Sequence, residues 1–348
     1  MRKTIFVVDD NDTNLSKAEE SLEDIYDVMT IPSGARLFAI LKKIKPNLIL
    51  LDIAMPEMDG FQVLEILKAE KDYKDIPVIF LTGLSDPDVE SRGFDSGVVD
   101  FIAKPFSTPV LLNRVKLHID INQLVREQTK KLEMNHQNMI SILAEVVEDR
   151  DSGTGGHITR TTEYVKVLLR EMQEQGLYAD EINGWDLEMV GISATLHDVG
   201  KIAVSDTILN KPGKLTDEEF DHIKNHASKG AAIIDRVIKR TAVGDDDEFL
   251  LHARAFAVAH HERWDGSGYP YGLKELEIPI EGRIMAVADV YDALISERPY
   301  KPVFPHEKAV AIIMKDAGRH FDPKIAEIFN EIHETFRSVQ MTIRDIKH

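Results

Sequence analysis

The chain has no cysteine. That absence excludes disulfides, zinc–thiolate centres and thiol nucleophiles, and it fits a reducing compartment. Long apolar runs are missing as well. The longest, such as Leu48 to Leu51, fall far short of the roughly 20 residues a membrane span needs. No apolar stretch of signal-peptide form precedes Thr4-Ile5-Phe6-Val7-Val8, so a cytoplasmic location is expected. Positive charge is scarce: 42 Lys and Arg stand against 60 Asp and Glu, for a formal charge of −18, and no long Lys/Arg run occurs. Direct DNA binding is therefore not expected. At 348 residues there is room for two domains, each with its own core.

In residues 1 to about 120, short apolar runs alternate with helical patterns. Strands are predicted at Thr4–Val8, Val28–Ile31, Leu48–Leu51, Val78–Thr82 and Phe101–Ala103. Helices are predicted at about Thr13–Leu22, Gly34–Ile44, Phe61–Ala69 and Asp88–Ser96. Continuous apolar strands separated by amphipathic helices indicate an α/β domain, a doubly wound parallel five-stranded sheet with helices on both faces. In such sheets the chemistry gathers at the carboxyl ends of the strands. Those ends carry Asp9, Asp10, Asp52, Thr82 and Lys104. Three carboxylates at one edge repel each other unless they share a hard cation, for which Mg²⁺ is suited. A carboxylate beside Mg²⁺ and an ammonium can attack a phosphoryl donor.

This stretch resembles the response-regulator receiver domain, which has a flavodoxin-like fold. The matching residues are Val8-Asp9-Asp10, Leu51-Asp52-Ile53-Ala54-Met55-Pro56-Glu57-Met58-Asp59-Gly60, Thr82 and Lys104-Pro105-Phe106. The resemblance implies Asp52 as phospho-acceptor, with Asp9, Asp10 and the Ala54 carbonyl helping to hold Mg²⁺. It implies Lys104 as the partner of the phosphoryl group, a cis Lys104–Pro105 peptide, Thr82 and Phe101 as switch residues, and a cognate sensor histidine kinase.

From about Thr108 to Arg150 the pattern is helical. Ile121, Val125, Gln128, Leu132, Asn135, Met139, Ile142 and Val146 recur at heptad spacing. Two readings stay open: a parallel seam between two copies, giving a homodimer, or a lone amphipathic helix lying on a domain. Residues 121–145 are taken as this linker, and a second domain is expected at 146–340.

That second domain reads as all-α. Helices are predicted at His157–Gln175, Asp186–His197, Asp217–Asn225, Ser228–Arg240, Glu248–His261, Glu281–Ser296 and His306–Ala317. Imidazole and carboxylate hold divalent transition metals at neutral pH. His157, His197, Asp198, His226, His260, His261 and Asp289 together could build one site holding two metals, suited to phosphoryl-ester chemistry. Any one of these histidines alone reads as a core or surface residue. The doublet His260-His261, followed by Glu262 and the glycine-rich Asp265-Gly266-Ser267-Gly268-Tyr269-Pro270, does not. With no thiolate available, the donor set favours iron or manganese, while nickel, cobalt or zinc could also load.

The pattern resembles the HD-GYP family of HD metal-dependent phosphohydrolases. It is carried by Asp149-Arg150-Asp151, Gly156-His157, His197-Asp198-Val199-Gly200-Lys201, Lys211-Pro212-Gly213, His226, His260-His261-Glu262 and Gly268-Tyr269-Pro270. It continues through Arg283-Ile284, Ala288-Asp289-Val290-Tyr291-Asp292, Arg298-Pro299-Tyr300-Lys301 and Phe321-Asp322-Pro323. The resemblance implies hydrolysis of cyclic di-GMP to pGpG, GMP or both, under receiver control. His157, His197, Asp198 and Asp289 would hold one metal. Asp198 would bridge to a second, held by His226, His260 and His261. Lys201, one helical turn from His197, would face the same phosphate, with Asp198 and Lys201 catalytic. Asp292, Arg298 and Lys301 would bind substrate, and the Gly268-Tyr269-Pro270 loop would meet a diguanylate-cyclase partner. Some family members hold a third metal through a glutamate four residues before the first histidine. Gly153 stands there, so two transition metals per chain are expected, not three, with Asp151 offset along the chain. The competing readings are a non-hydrolysing cyclic di-GMP sensor and a general nucleotide phosphohydrolase.

Overall fold

The computed structural model describes residues 2–83, 87–151, 156–240, 247–296 and 303–343. They divide into two compact units, one up to Leu132 and one from Glu133.

In the first unit five parallel strands, β1 (Thr4–Val8), β2 (Asp27–Ile31), β3 (Leu48–Asp52), β4 (Val78–Thr82) and β5 (Asp100–Ala103), lie in the order β2-β1-β3-β4-β5. Five helices follow the strands in turn: α1 (Asp12–Leu22), α2 (Gly34–Leu41), α3 (Gly60–Ala69), α4 (Pro87–Asp95) and α5 (Thr108–Glu148). Every residue of β3 and β4 is buried, which is why these strands read as unbroken apolar runs rather than alternating ones. Phe6, Val8, Ile49, Leu51, Val78 and Phe80 fill one face of the sheet; Ile5, Val7, Leu48, Leu50, Ile79 and Leu81 fill the other. The strand order reverses between β1 and β3, so their carboxyl ends flank the crevice where such sheets bind ligands.

Helix starts follow local chemistry. The Asn11 side chain accepts from the amides of Thr13 and Asn14 at the start of α1, and Asp59 and Gln62 form a capping box on α3. The first turns of α5 bury Leu111, Val115 and Ile119 against the sheet. Farther along, Ile121, Val125, Leu132, Met139, Ile142 and Val146 are all exposed.

The second unit is helical: α6 (His157–Glu174), α7 (Ala179–Ile182), α8 (Leu187–Ala194), α9 (Asp206–Leu209), α10 (Asp217–Arg240), α11 (Glu248–Ala259), α12 (Ile280–Ile295), α13 (His306–Lys315) and α14 (Pro323–Thr342). Helix α12 is buried along most of its length and is surrounded by α6, α11, α13 and α14. Tyr164, Tyr291, Phe329 and Phe336 form the aromatic centre of the core, with Tyr164 and Phe336 stacked 4.4 Å apart. No described helix is long and apolar enough to cross a membrane.

Two expectations are corrected. The helices predicted at Asp217–Asn225 and Ser228–Arg240 are one helix, α10, which passes through His226 without a break. The polar, small residues at the expected break are there because a tight turn packs on them. A Cβ at Gly200 would overlap the His226 carbonyl, so only glycine lets the segment after Asp198 approach α10. Helix α14 was not anticipated. Asp322 caps it by accepting from the Lys324 amide, Pro323 opens it, and Ile325, Ile328, Phe329 and Phe336 bury one face.

Candidate functional site

In the receiver unit, ligand oxygens of Asp9, Asp10 and Asp52 lie within 4.8 Å of one another. Asp9 and Asp52 are buried and Asp10 is exposed. Lys104 Nζ stands 2.6 Å from Asp9 Oδ2 and 2.8 Å from Asp52 Oδ1. Burial pushes the Asp52 carboxyl above its usual range, against the opposing pull of Lys104. Thr82 ends β4 and is buried; Phe101 on β5 is buried edge-on against Phe80 and Phe94. The Lys104–Pro105 peptide is cis, as expected. This edge offers a carboxylate nucleophile, a cradle for a hard cation and a fixed ammonium.

In the helical unit the seven predicted ligands converge. Atoms of Asp198, His226, His260 and His261 lie within 4.8 Å of one another, and so do atoms of His157, His197 and Asp289. Asp198 joins the clusters: its Oδ2 lies 3.3 Å from His197 Nε2, and its Oδ1 lies 3.1 Å from His226 Nε2 and 3.6 Å from His260 Nε2. His157 Nε2 stands 3.7 Å from Asp289 Oδ1. The ligands come from three helices and from the segments that follow two others, with His197-Asp198 after α8. His157 opens α6, His226 sits within α10, Asp289 lies on α12, and His260-His261 follow α11.

The outer contacts fix which nitrogen faces inward. Nδ1 of His197, His226 and His260 donates to the carbonyl of Ala194, Ile223 and Phe256 at 2.9, 2.6 and 2.9 Å. His157 Nδ1 donates to Asp292 Oδ2 at 2.8 Å. Each Nδ1 is thus committed outward and each Nε2 faces the cluster, the arrangement of metal-bound histidine. Two buried atoms, His197 Nε2 and Asp198 Oδ1, have no aligned hydrogen-bond partner. A buried acceptor without a donor is costly, and a cation between the clusters removes that cost for both atoms. The donor set therefore fits two divalent metals.

Charge balance within the cluster supports this. Burial disfavours the Asp198 carboxylate, but Lys201 and His197 hold its pKa well below the usual value. Burial lowers the His260 pKa and holds that of His261 well below the usual imidazole value. Burial also opposes charge on His157, yet the Asp292 carboxylate raises it to about 9, so a cation entering there displaces a proton.

Two expectations change. Asp292, expected to bind substrate, is buried and engaged. Arg160 Nε donates to its Oδ1 at 2.6 Å, and both Arg160 Nη2 and His157 Nδ1 donate to its Oδ2. It holds His157 rather than facing an open site. His197 is not in a helix with Lys201: α8 ends at Ala194, and Lys201 sits in a 3-10 turn from Val199 to Ala203. Even so, Lys201 Nζ reaches Asp198 Oδ2 at 2.9 Å, and Glu148 Oε2 at 3.0 Å. Gly153, Arg298 and Lys301 lie outside the described residues, as does the side chain of Asp151.

Sequence reasoning missed Arg160, Glu148 and the role of Glu262. Arg160 had a signal, lying three residues after His157 on one helix face. Glu262 is buried and accepts from the amides of Tyr271 and Leu273 at 2.8 and 3.0 Å, anchoring the chain after Pro270. Tyr269 lies over His261, ring centroids 4.7 Å apart, and so borders the second cluster.

Residues 5–116 match the response regulator receiver domain family, and residues 110–325 match the HD domain family. A Vibrio cholerae protein named probable cyclic di-GMP phosphodiesterase is 38% identical over 98% of this chain and 80% of its own length. The cyclic di-GMP phosphodiesterase response regulator RpfG of Xanthomonas campestris pv. campestris is 33% identical over 93% of this chain and 86% of its own. A cyclic di-GMP phosphodiesterase of Thermotoga maritima is 31% identical, over 98% and 94%. With both domains matched and relatives aligned end to end, the chain belongs to the family of response regulators that join an N-terminal receiver domain to a C-terminal metal-binding HD domain of the HD-GYP type.

Proposed function

We propose that the chain is a phosphorylation-regulated cyclic di-GMP phosphodiesterase, yielding pGpG, GMP or both at a dinuclear metal site. The observation that carries this reading is Asp198, placed between two clusters of imidazole and carboxylate with its Oδ1 unsatisfied. The names of the relatives point to the same substrate.

His157, His197, Asp198 and Asp289 would hold one metal, and Asp198, His226, His260 and His261 the other. Iron or manganese suits these donors. Bound cations of this kind supply water that ionises near neutral pH and neutralise the nonbridging oxygens of a phosphodiester. The water oxygen adds to phosphorus, the P–O3′ bond breaks, and the 3′-oxygen leaves with a proton, giving pGpG; a second hydrolysis gives GMP. Lys201, held between Glu148 and Asp198, sets an ammonium beside the Asp198 carboxylate, where negative charge would develop in the transition state. Glu262 fixes the backbone after Pro270, so Tyr269 stays at the border of the site. Arg298 and Lys301 supply cations for the phosphate or guanine of the ligand.

Asp52 accepts the phosphoryl group from a cognate histidine kinase, with Mg²⁺ on Asp9, Asp10 and Asp52. The exposed seam Ile121, Val125, Leu132, Met139, Ile142 and Val146 suits pairing with a second copy, and the Gly268-Tyr269-Pro270 loop suits a diguanylate cyclase. The test is incubation of manganese- or iron-loaded chain with cyclic di-GMP, pGpG and cyclic GMP-AMP, with products resolved by chromatography. Cleavage of cyclic di-GMP is expected. Tight binding without cleavage would replace this reading with a sensor, and faster cleavage of cyclic GMP-AMP would change the substrate.

A further inference from the structure

Apart from the clusters around Asp198, a third set of metal-binding side chains meets where α13 begins against α14. His306 opens α13 and is buried. His333 is half-buried and Glu334 exposed, both on α14. His306 Nε2 stands 2.9 Å from His333 Nδ1, and Glu334 Oε1 lies 3.9 and 3.7 Å from those two atoms. A tetrahedral metal with bonds of about 2.0–2.1 Å keeps its ligands about 3.3 Å apart, and these three separations bracket that spacing.

The surroundings favour a cation over a simple imidazole pair. The Tyr291 hydroxyl lies 2.7 Å from His306 Nδ1. It can accept the Nδ1 proton, which leaves the Nε2 lone pair directed at His333 and Glu334, as in metal-bound histidine. Arg337 Nη1 is 3.7 Å from Glu334 Oε1, but it is also 3.4 Å from Glu307 Oε1. It therefore keeps a carboxylate partner if Glu334 turns to a metal. The exposed carboxylate gives an ion a path in from solvent, while the buried imidazole gives it a dry inner side.

We propose that His306, His333 and Glu334 form a separate site for one divalent transition metal of the zinc, cobalt or nickel class, its fourth position taken by water. The ion ties the start of α13 to α14, two helices that pack on each other and on α12. Because α12 also carries Asp289, occupancy braces one wall of the dinuclear centre. None of the three ligands belongs to that centre, so the site stands whether or not the chain hydrolyses cyclic di-GMP.

The experiment saturates the full chain with Zn²⁺, removes loose ion by dialysis and measures total metal. Affinity is then read by competition with a chromogenic chelator. His306 is buried, so the variants are His333→Ala, Glu334→Gln and Tyr291→Phe, the last keeping the aromatic packing. Wild type should hold about one equivalent more than His333→Ala, leaving the metals of the dinuclear centre in place. Glu334→Gln should weaken that extra ion. Tyr291→Phe should weaken it by about 10–100-fold, as loss of an outer partner does. Equal metal content and affinity in wild type and His333→Ala would overturn the proposal. So would a loss in His333→Ala that neither Glu334→Gln nor Tyr291→Phe shares, since a lone surface histidine would explain it.

Discussion

Asp292 holds His157. Its Oδ2 accepts from His157 Nδ1 at 2.8 Å, while Arg160 donates to its Oδ1 at 2.6 Å. A buried Asp–Arg pair is thereby committed to orienting one imidazole of the cluster it shares with His197 and Asp289.

Removing an outer partner of a metal-bound histidine typically costs about 10–100-fold in metal affinity or activity. Asp292→Asn is expected to lower metal affinity by that factor, with the helical circular dichroism unchanged. Both variants are expected to destabilise the domain, by about 3–5 kcal/mol, because both leave the buried Arg160 charge uncompensated, and Asp292→Ala the more because it also removes the acceptors of Arg160 and His157. Metal content at limiting metal concentration, together with a denaturant titration, separates the two effects.

Glu262 places a buried carboxylate against the amides of Tyr271 and Leu273. Glu262→Ala strands both donors, and each buried unsatisfied group costs about 1–3 kcal/mol. A lower melting temperature is expected, together with a raised KM, because the same contacts hold the segment that follows Tyr269. An unchanged melting curve would show that water replaces the carboxylate without loss.

Arg298 and Lys301 follow α12 in the chain and precede Pro302. If they grip the ligand, Arg298→Ala and Lys301→Ala should each weaken cyclic di-GMP binding at least about tenfold, since a hydrogen bond to a charged group is worth roughly 1.5–3 kcal/mol. Metal content should not change. Calorimetry on metal-loaded protein reads both, and an affinity shift below about twofold would make them ordinary surface charges.

Under the proposed control, a phosphoryl group on Asp52 would add charge that Lys104 and Thr82 can engage, and the buried Phe101 ring would respond. Beryllofluoride with Mg²⁺ is expected to raise turnover severalfold, in line with allosteric couplings of about 1–3 kcal/mol. Asp52→Asn should abolish that response. Beryllofluoride binding that leaves turnover, affinity and oligomeric state unchanged would remove the receiver from control of this site.

The sheet was legible in the sequence because strands buried on both faces, such as β3 and β4, appear as unbroken apolar runs. The clustering of seven imidazoles and carboxylates was legible because histidine and aspartate carry metal chemistry in their own side chains. What stayed hidden depended on tertiary contacts. The Asp292–His157 and Glu148–Lys201 contacts join residues 135 and 53 positions apart, with no local pattern between them. Helix α10 reads as two because small residues near His226 look like a break, whereas they make room for the turn at Gly200. Helix α14 did carry a signal: its cap Asp322-Pro323 and its spaced apolar residues were open to the same rules as the other helices.

Asp198 is proposed to join two metal sites that together cleave cyclic di-GMP. The most direct test measures metal content and cyclic di-GMP turnover in parallel, on chains carrying His333→Ala so that only the dinuclear centre is counted, with and without Asp198→Ala. About two metals per chain and conversion to pGpG or GMP are expected with Asp198 present, and loss of both metal and turnover without it. Full metal occupancy and undiminished turnover in the Asp198→Ala chain would contradict it.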